Sequence, residues 1–255
     1  MSDLLLSVPH SVAGTPALDL VAFPGMGSGA AGFRGWRENL PHDWRFTVAV
    51  PPGRDGSYGQ PFATDMAQLA DDLAAALSCR RSGPDSPPLV LFGHSMGGLL
   101  ALLVADRVRT DALVVAACPA PSALEPGAAA SHAADVPLDE ARLRTEVAAM
   151  ITSAPGMESD VLDALDELAD FAMPVVAADI RLMSTFRAPQ EPVGCGIWAL
   201  YGQQDAIDPA SWSAQTTASS GMSVLPGSHF FVQEDPARAV TELRRCVAKL
   251  TGSAS

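Results

Sequence analysis

A serine in a predicted sharp turn is the first feature of this sequence that could do covalent chemistry. Residues 93–97 form a GxSxG motif centred on Ser95, between a short apolar run and a helical stretch. In this strand–turn–helix context, such a motif exposes a nucleophilic hydroxyl at the carboxyl edge of a parallel sheet. The helix that follows directs its first N–H groups toward developing negative charge. We therefore predict that Ser95 is a catalytic nucleophile, the alternative being a structural turn serine.

A serine hydroxyl needs a general base, and the chain contains five histidines. His94 is the variable residue of the motif and is expected to pack beside the nucleophile. His10, His42 and His132 lie in segments with no predicted link to the turn. His229 follows the last predicted strand and precedes the last predicted helix, where the Ser–acid–His order of this architecture places the base. His229 is therefore the predicted base.

Two carboxylates, Asp205 and Asp208, compete for the role of the acid that orients the histidine. Both follow the predicted strand at residues 196–201. Asp208 precedes Pro209 and is expected to cap a helix. Asp205 lies closer to the strand, where its carboxylate could orient an imidazole and stabilise the protonated form. We predict Asp205 as the acid, with Asp208 as the alternative.

The oxyanion of an acyl-transfer intermediate needs two hydrogen-bond donors. The N–H of Met96, directly after the nucleophile, is one. The other is predicted to be the N–H of Met26, in the glycine-rich loop 24–29 that follows the first long strand. A phosphate-binding loop is the competing interpretation, but no Lys-Ser/Thr pair follows and GxGxxG is absent.

The elements predicted to position these residues alternate between short apolar strands and longer helical stretches. This pattern is typical of an α/β protein whose mostly parallel central sheet carries helices on both faces. The predicted strands cover residues 18–23, 46–50, 89–93, 112–118, 196–201 and 222–225. The predicted helices cover residues 30–40, 62–77, 97–107, 209–217 and 236–250.

One connection, at about residues 119–192, is far longer than an ordinary strand-to-helix loop. Helical segments are predicted within it near residues 138–152, 158–172 and 174–187. We expect a single domain over residues 1–255 in which this insertion forms a helical lid, the alternative being an extra helical layer without a role in access.

Composition excludes several classes of function. The net charge is −13 with a single lysine among 16 basic residues, which argues against nucleic acid and anionic membranes as partners. No apolar run approaches the roughly 18 residues of a spanning helix, and no basic residue precedes Arg34 as a secretory signal would require. Four scattered cysteines indicate neither a zinc site nor a disulfide framework. We expect a cytoplasmic protein without a metal.

The sequence resembles the type II thioesterases that accompany nonribosomal peptide and polyketide synthases, within the α/β-hydrolase superfamily. The resemblance covers nearly the whole chain and rests on the motifs at residues 23–27, 93–97, 178–181, 202–205 and 227–231. The sequence departs from the family pattern at three places. Many members have alanine where Met26 stands and glycine where Ser28 stands, and the proline usual after the acid is displaced to Pro209.

The resemblance implies an α/β-hydrolase fold with a helical lid and hydrolysis of acyl groups from the phosphopantetheine arm of an acyl or peptidyl carrier protein. It implies no bound cofactor, because the pantetheine arm belongs to the partner, and we expect a monomer. Three alternatives stay open: a carboxylesterase or lipase acting on free esters, an acyltransferase, and a non-catalytic carrier-binding protein.

The distribution of charge predicts where a carrier protein would dock. Residues 119–192 contain 13 acidic and four basic residues, so the outer face of the lid would repel the acidic docking helix that the resemblance implies for the carrier. Four arginines cluster in sequence around the glycine-rich loop and the helix after it: Arg34, Arg37, Arg45 and Arg54. We expect the carrier to approach this side, with Arg34 and Arg37 pairing with its acids or with the pantetheine phosphate. The alternative is a set of scattered, solvated arginines.

Overall fold

A seven-stranded sheet forms the centre of the molecule. The computed structural model describes residues 4–7, 14–81, 86–124, 141, 144–145, 165–205, 207 and 209–252. The strand order is β1-β3-β2-β4-β5-β6-β7, and β2 to β7 run parallel while β1 pairs antiparallel with β3 at one edge. The strands are β1 (Leu5–Ser7), β2 (Leu18–Phe23), β3 (Trp44–Ala49), β4 (Leu89–His94), β5 (Ala112–Ala116), β6 (Gly196–Gly202) and β7 (Ser220–Leu225). The predicted α/β fold with a mostly parallel sheet is confirmed, and the short β1 is an addition.

Besides the helical residues 141, 144 and 145, the described part of the chain contains five α-helices. They are α1 (Met66–Arg80), α2 (Met96–Ala105), α3 (Leu165–Ser184), α4 (Phe231–Glu234) and α5 (Pro236–Thr251). Shorter 3₁₀ segments cover Ala30–Trp36, Asp55–Ser57, Pro121–Ala123 and Pro209–Gln215. None of these helices combines the length and the apolar character that a transmembrane segment needs.

The predicted helix at residues 30–40 is instead a kinked 3₁₀ segment. Its backbone leaves helical geometry at Phe33, and it ends at Trp36. Gly32 and Gly35 lie in close contact with other parts of the chain, since a Cβ on Gly35 would come within 2.7 Å of Pro236 Cγ. Two glycines in one short segment lower its helix propensity. The packing contacts of the segment therefore determine its conformation, and a regular α-helix does not form.

Both faces of the sheet are covered, because neighbouring strand residues point to opposite sides. On β4, Leu91 contributes to a cluster with α1 and α2, whereas Phe92 contributes to the cluster on the other side with α5. Phe33 and Trp36 belong to the second cluster and are buried. Every residue of β4 is buried, and this rigid central strand carries the GxSxG motif at its carboxyl end.

The long connection between β5 and β6 contains one continuous helix where the sequence predicted two. Helix α3 runs through Pro174, although proline cannot donate the hydrogen bond that a helix interior requires. Ala169, before the proline, and Val176 and Leu182, after it, are all buried. Burial of this continuous apolar face outweighs the local loss at the proline. The predicted helix at 138–152 and most of the proposed lid lie outside the described residues.

A buried ion pair fixes α3 to the glycine-rich loop after β2. Arg54 Nη1 and Nη2 lie 2.7 and 2.5 Å from the carboxylate oxygens of Asp179, and both side chains are almost completely buried. Asp179 also accepts the N–H of Gly27 at 2.8 Å, and Arg54 donates to the carbonyl of Ser28 at 3.1 Å. Helix α3 and the loop are therefore joined by charged hydrogen bonds that are shielded from water.

Replacement of Asp179 should destabilise the protein strongly. Asp179→Ala leaves the Arg54 guanidinium buried without its counter-charge, which costs about 3–5 kcal/mol in comparable pairs. Asp71→Ala is the matched control, because the pair of Asp71 with Arg107 is exposed on the carboxylate side and such pairs are worth about 0–1 kcal/mol. Denaturant unfolding measures both losses, and equal losses would contradict the role assigned to the buried pair.

Candidate active site

Ser95 lies in a strained turn between β4 and α2. Its backbone has φ 53° and ψ −123°, a conformation that non-glycine residues rarely adopt. The backbone segments on either side of Ser95 pack so closely that a Cβ on Gly93 would lie 2.3 Å from the carbonyl oxygen of Gly97. A Cβ on Gly97 would lie 2.2 Å from the carbonyl oxygen of Phe23. Only glycine fits at these two positions, and the turn presents the Ser95 side chain at the carboxyl edge of the sheet.

The structure brings together the three side chains that the sequence singled out. His229 Nε2 lies 3.1 Å from Ser95 Oγ, and His229 Nδ1 lies 3.2 Å from an oxygen of Asp205. The Asp205 side chain is only 7% exposed, whereas that of His229 is 36% exposed. Because a carboxylate can only accept, Nδ1 carries the proton, and Nε2 is left to accept from the serine hydroxyl. This is the hydrogen-bond order of a serine hydrolase.

The loops that carry Asp205 and His229 are bonded to each other. The N–H of Gln204 donates to the carbonyl of Gly227 at 3.0 Å. Gly202 allows a close approach, because a Cβ there would lie 2.2 Å from the carbonyl oxygen of Ser228. The acid and the histidine are thus positioned by neighbouring strands, β6 and β7. The alternative acid Asp208 lies outside the described residues.

His94 does more than pack beside the nucleophile. Its ring is buried, and Nε2 lies 2.8 Å from the backbone carbonyl oxygen of His229. A carbonyl oxygen only accepts, so Nε2 is the donor. Burial lowers the pKa of His94 to about 4, which leaves the ring neutral near pH 7. Sequence reasoning missed this hydrogen bond, because no local pattern pairs the motif with a backbone group in a distant loop.

Both predicted oxyanion donors lie in segments that border Ser95. Met96 is the first residue of α2, where an N–H has no acceptor within its own helix. The loop of Met26 packs against the turn, since a Cβ on Gly25 would lie 2.9 Å from His94 Nδ1. The half-buried side chain of Met26 contacts apolar residues of α3, namely Ala169 and Val176. The N–H of Met26 makes no hydrogen bond with the part of the chain that the structure describes.

The glycine-rich loop is not arranged to hold a phosphate. Its Gly27 N–H donates to Asp179, and the N–H of Ala30 donates to Asp55 at 2.9 Å. Two carboxylates therefore stand where a phosphate-binding loop would place its ligand. Among the described residues, no group of three or more His, Cys, Asp or Glu side chains could hold a metal ion.

The prediction that four arginines lie together on the active-site side is wrong for Arg45 and Arg54. Arg45 stands at the beginning of β3 and pairs with buried Asp19 on β2, at the edge opposite the serine. Arg54 is buried against Asp179. Proximity in sequence did not show at which end of β3 Arg45 lies. It also did not show that the carboxylate of Asp179, far away in sequence, pairs with Arg54. Arg34 lies on the 3₁₀ segment that follows the glycine-rich loop, Arg37 comes directly after that segment, and both are exposed.

Comparisons with known proteins give one family model and several related thioesterases. The family model of the thioesterase domain matches residues 19–248. The thioesterase TesA of Mycobacterium leprae is 28% identical over 90% of this chain and 85% of its own length. Among solved structures, the RedJ thioesterase from the prodiginine pathway of Streptomyces coelicolor is 28% identical, with a TM-score of 0.72 over 97% of this chain and 96% of its own. The type II thioesterase BorB from the borrelidin biosynthetic cluster is 25% identical, with a TM-score of 0.78 over 97% and 99%.

The two candidate acids are separated by amide substitution. Asp205→Asn should lower kcat by about 10⁴-fold, because an amide favours the wrong tautomer of the histidine. Asp208→Asn should change kcat little, since the sequence predicts only a capping role for Asp208 and asparagine caps about as well as aspartate. Steady-state kinetics of both variants on one acyl substrate decide between them, and the reverse order of effects would show that Asp208 is the acid.

Proposed function

The chain belongs to the thioesterase domain family, and we propose that it is a type II thioesterase that hydrolyses acyl groups from the phosphopantetheine arm of an acyl or peptidyl carrier protein. The observation that carries the proposal is the hydrogen-bonded series Ser95–His229–Asp205 at the end of β4. The relatives named for prodiginine and borrelidin biosynthesis support the substrate class. We expect the enzyme to be a monomer and to share the compartment of its carrier protein, the cytoplasm.

The first half-reaction transfers the acyl group to the enzyme. Ser95 Oγ attacks the thioester carbonyl carbon while His229 Nε2 takes the hydroxyl proton. The N–H groups of Met26 and Met96 stabilise the oxyanion of the tetrahedral intermediate. When the intermediate collapses, the C–S bond breaks and His229 returns the proton to the pantetheine sulfur. The products are the free pantetheine thiol and acyl-Ser95.

The second half-reaction releases the acid. A water molecule attacks the acyl carbon, and His229 Nε2 accepts a proton from that water. Asp205, largely shielded from solvent, stabilises the imidazolium that forms. Collapse of the second tetrahedral intermediate breaks the bond to Oγ, and His229 gives the proton back to Ser95. Editing of a stalled unit and release of a finished product use the same chemistry.

Turnover of three kinds of substrate tests the proposed function. We expect acyl-carrier protein and acyl-pantetheine to be hydrolysed faster than nitrophenyl esters, because a type II thioesterase recognises the pantetheine arm. Preference for nitrophenyl esters would instead identify a carboxylesterase or lipase. Acyl transfer to an alcohol or amine in place of water would identify an acyltransferase.

Ser95→Ala and His229→Ala should each lose about 10⁴-fold or more in kcat, because the triad acts as a unit. A fluorophosphonate probe should label Ser95 in the wild type and fail to label Ser95→Ala. Near-normal turnover in either variant would contradict the triad. Carrier binding with neither turnover nor labelling in the wild type would identify a non-catalytic carrier-binding protein.

We also assign carrier docking to the surface that bears Arg34 and Arg37. Arg34 lies on the 3₁₀ segment Ala30–Trp36 and Arg37 directly follows it, whereas Phe33 and Trp36 of the same segment are buried. Trp36 Nε1 donates to the carbonyl of Val232 at 2.9 Å, so the segment lies against α4, which begins two residues after His229. The segment also continues directly from the loop of Met26. A carrier bound here would meet positive charge close to the nucleophile.

Charge reversal at this surface tests the docking site. Arg34→Glu combined with Arg37→Glu should raise KM for an acyl-carrier substrate roughly tenfold, because like charges slow encounter. The same variant should leave KM for a small acyl-pantetheine nearly unchanged. Arg109→Glu combined with Arg244→Glu is the control with the same charge change; Arg109 lies before β5 and Arg244 near Leu18 on β2, at the opposite end of the sheet. An unchanged carrier KM in the first variant, or an equal rise in the control, would rule the site out.

A further inference from the structure

The buried ring of His94 bears on the chemistry although it is not one of the three reacting side chains. We propose that His94 is a positioning residue, whose Nε2–H holds the backbone carbonyl of His229 and thereby fixes the distance from His229 to Ser95. The inference rests on the proposed serine-hydrolase function and goes beyond it, since it assigns a role to the residue that precedes the nucleophile.

The first observation is the hydrogen bond itself. His94 Nε2 and His229 O are separated by 2.8 Å, an ordinary length for an N–H donor and a carbonyl acceptor. His94 is 3% exposed at the last position of β4, and burial favours the uncharged form. The ring therefore carries one proton, on Nε2, and its Nδ1 has no proton to donate.

The second observation is that the His229 carbonyl has one donor. Within the described part of the chain, no backbone or other side-chain N–H reaches it. The N–H groups at the start of α4 donate to other carbonyls: Phe231 N–H donates to the carbonyl of Ser228, and Gln233 N–H donates to the carbonyl of Phe230. A partly buried carbonyl that loses its donor costs free energy until the backbone rearranges. Loss of His94 would therefore act directly on the backbone of the proposed base.

The third observation is that His94 stands between the segments that make the site. It immediately precedes Ser95 on a rigid strand, and its ring centroid lies 5.3 Å from that of His229. On another side, the backbone at Gly25 packs against its Nδ1. A rigid side chain at this position fixes the distance between the loop of His229 and the nucleophile. The distance from Ser95 Oγ to His229 Nε2 is 3.1 Å.

Such a role makes a specific kinetic prediction. Proton transfer from Ser95 to His229 depends on their distance in the transition state, whereas substrate binding does not. Removal of the Nε2 donor should therefore lower kcat and leave KM nearly unchanged. A displacement of about 1 Å can cost about 10²-fold in rate, which sets the expected size.

Two amide substitutions separate the donor from the volume of the ring. Glutamine can place its N–H₂ close to the former Nε2, whereas asparagine is one carbon shorter and reaches only the former Nδ1. We expect His94→Gln to keep kcat within about fivefold of the wild type, and His94→Asn to lose about 10²-fold in kcat with KM changed less than about twofold. Circular dichroism and thermal unfolding check that both variants fold.

The outcomes are decisive in both directions. Folded His94→Asn with wild-type kcat, or equal losses in the two variants, would overturn the proposal. A rise in KM without a fall in kcat would also overturn it. The rate at which a fluorophosphonate probe labels Ser95 should follow the same order of variants, because that reaction needs the same proton transfer. Labelling is independent of the acyl substrate, so a wrong substrate class and a wrong role for His94 would give different results.

Discussion

The site depends on a backbone conformation at Ser95 that the residue does not favour by itself. A serine with φ 53° stores strain of about 1–3 kcal/mol, and the surroundings must hold it there. The N–H of Ser95 donates to the carbonyl of Ala116 on β5 at 2.8 Å, and glycines on both sides let neighbouring backbone approach without collision. The central position of β4 in the sheet makes this possible, because both adjacent strands are already fixed.

Around this turn, the site is assembled from loops that hold one another. The loop of Met26 is held by Asp179 from α3 through Gly27. The loop of His229 is held by His94 from β4 and by contacts with the end of β6. Each loop is thus restrained by at least one hydrogen bond to a separate element. Groups positioned before substrate arrives need little reorganisation in the transition state, which is the main source of electrostatic catalysis.

Helix α3, the described helix of the long connection between β5 and β6, contacts this arrangement. One side of the helix reaches the glycine-rich loop through Asp179, and its apolar residues Ala169 and Val176 pack near the side chain of Met26. The oxyanion role proposed for Met26 does not depend on its side chain, because only the backbone N–H takes part. The methionine side chain adds flexible apolar volume between the glycine-rich loop and α3.

The sequence by itself determined the chemistry and the general fold. Ser95 was found because the GxSxG motif, the apolar run before it and the helix after it are local signals. Asp205 and His229 followed from chain order at the ends of predicted strands, and the structure places both within hydrogen-bond distance of the expected partners. Strands β2 and β4 were predicted within one residue because apolar runs of this kind suit strands that are buried on both faces.

Only the tertiary structure decided the contacts that position these groups. The Arg54–Asp179 pair joins residues 125 positions apart, and the bond from His94 to His229 spans 135. The continuity of α3 through Pro174 likewise depends on burial against distant elements. Motifs and hydrophobic periodicity predict the local conformation of a short segment. A hydrogen bond between two loops forms because the sheet places their ends together, and that placement is a property of the whole fold.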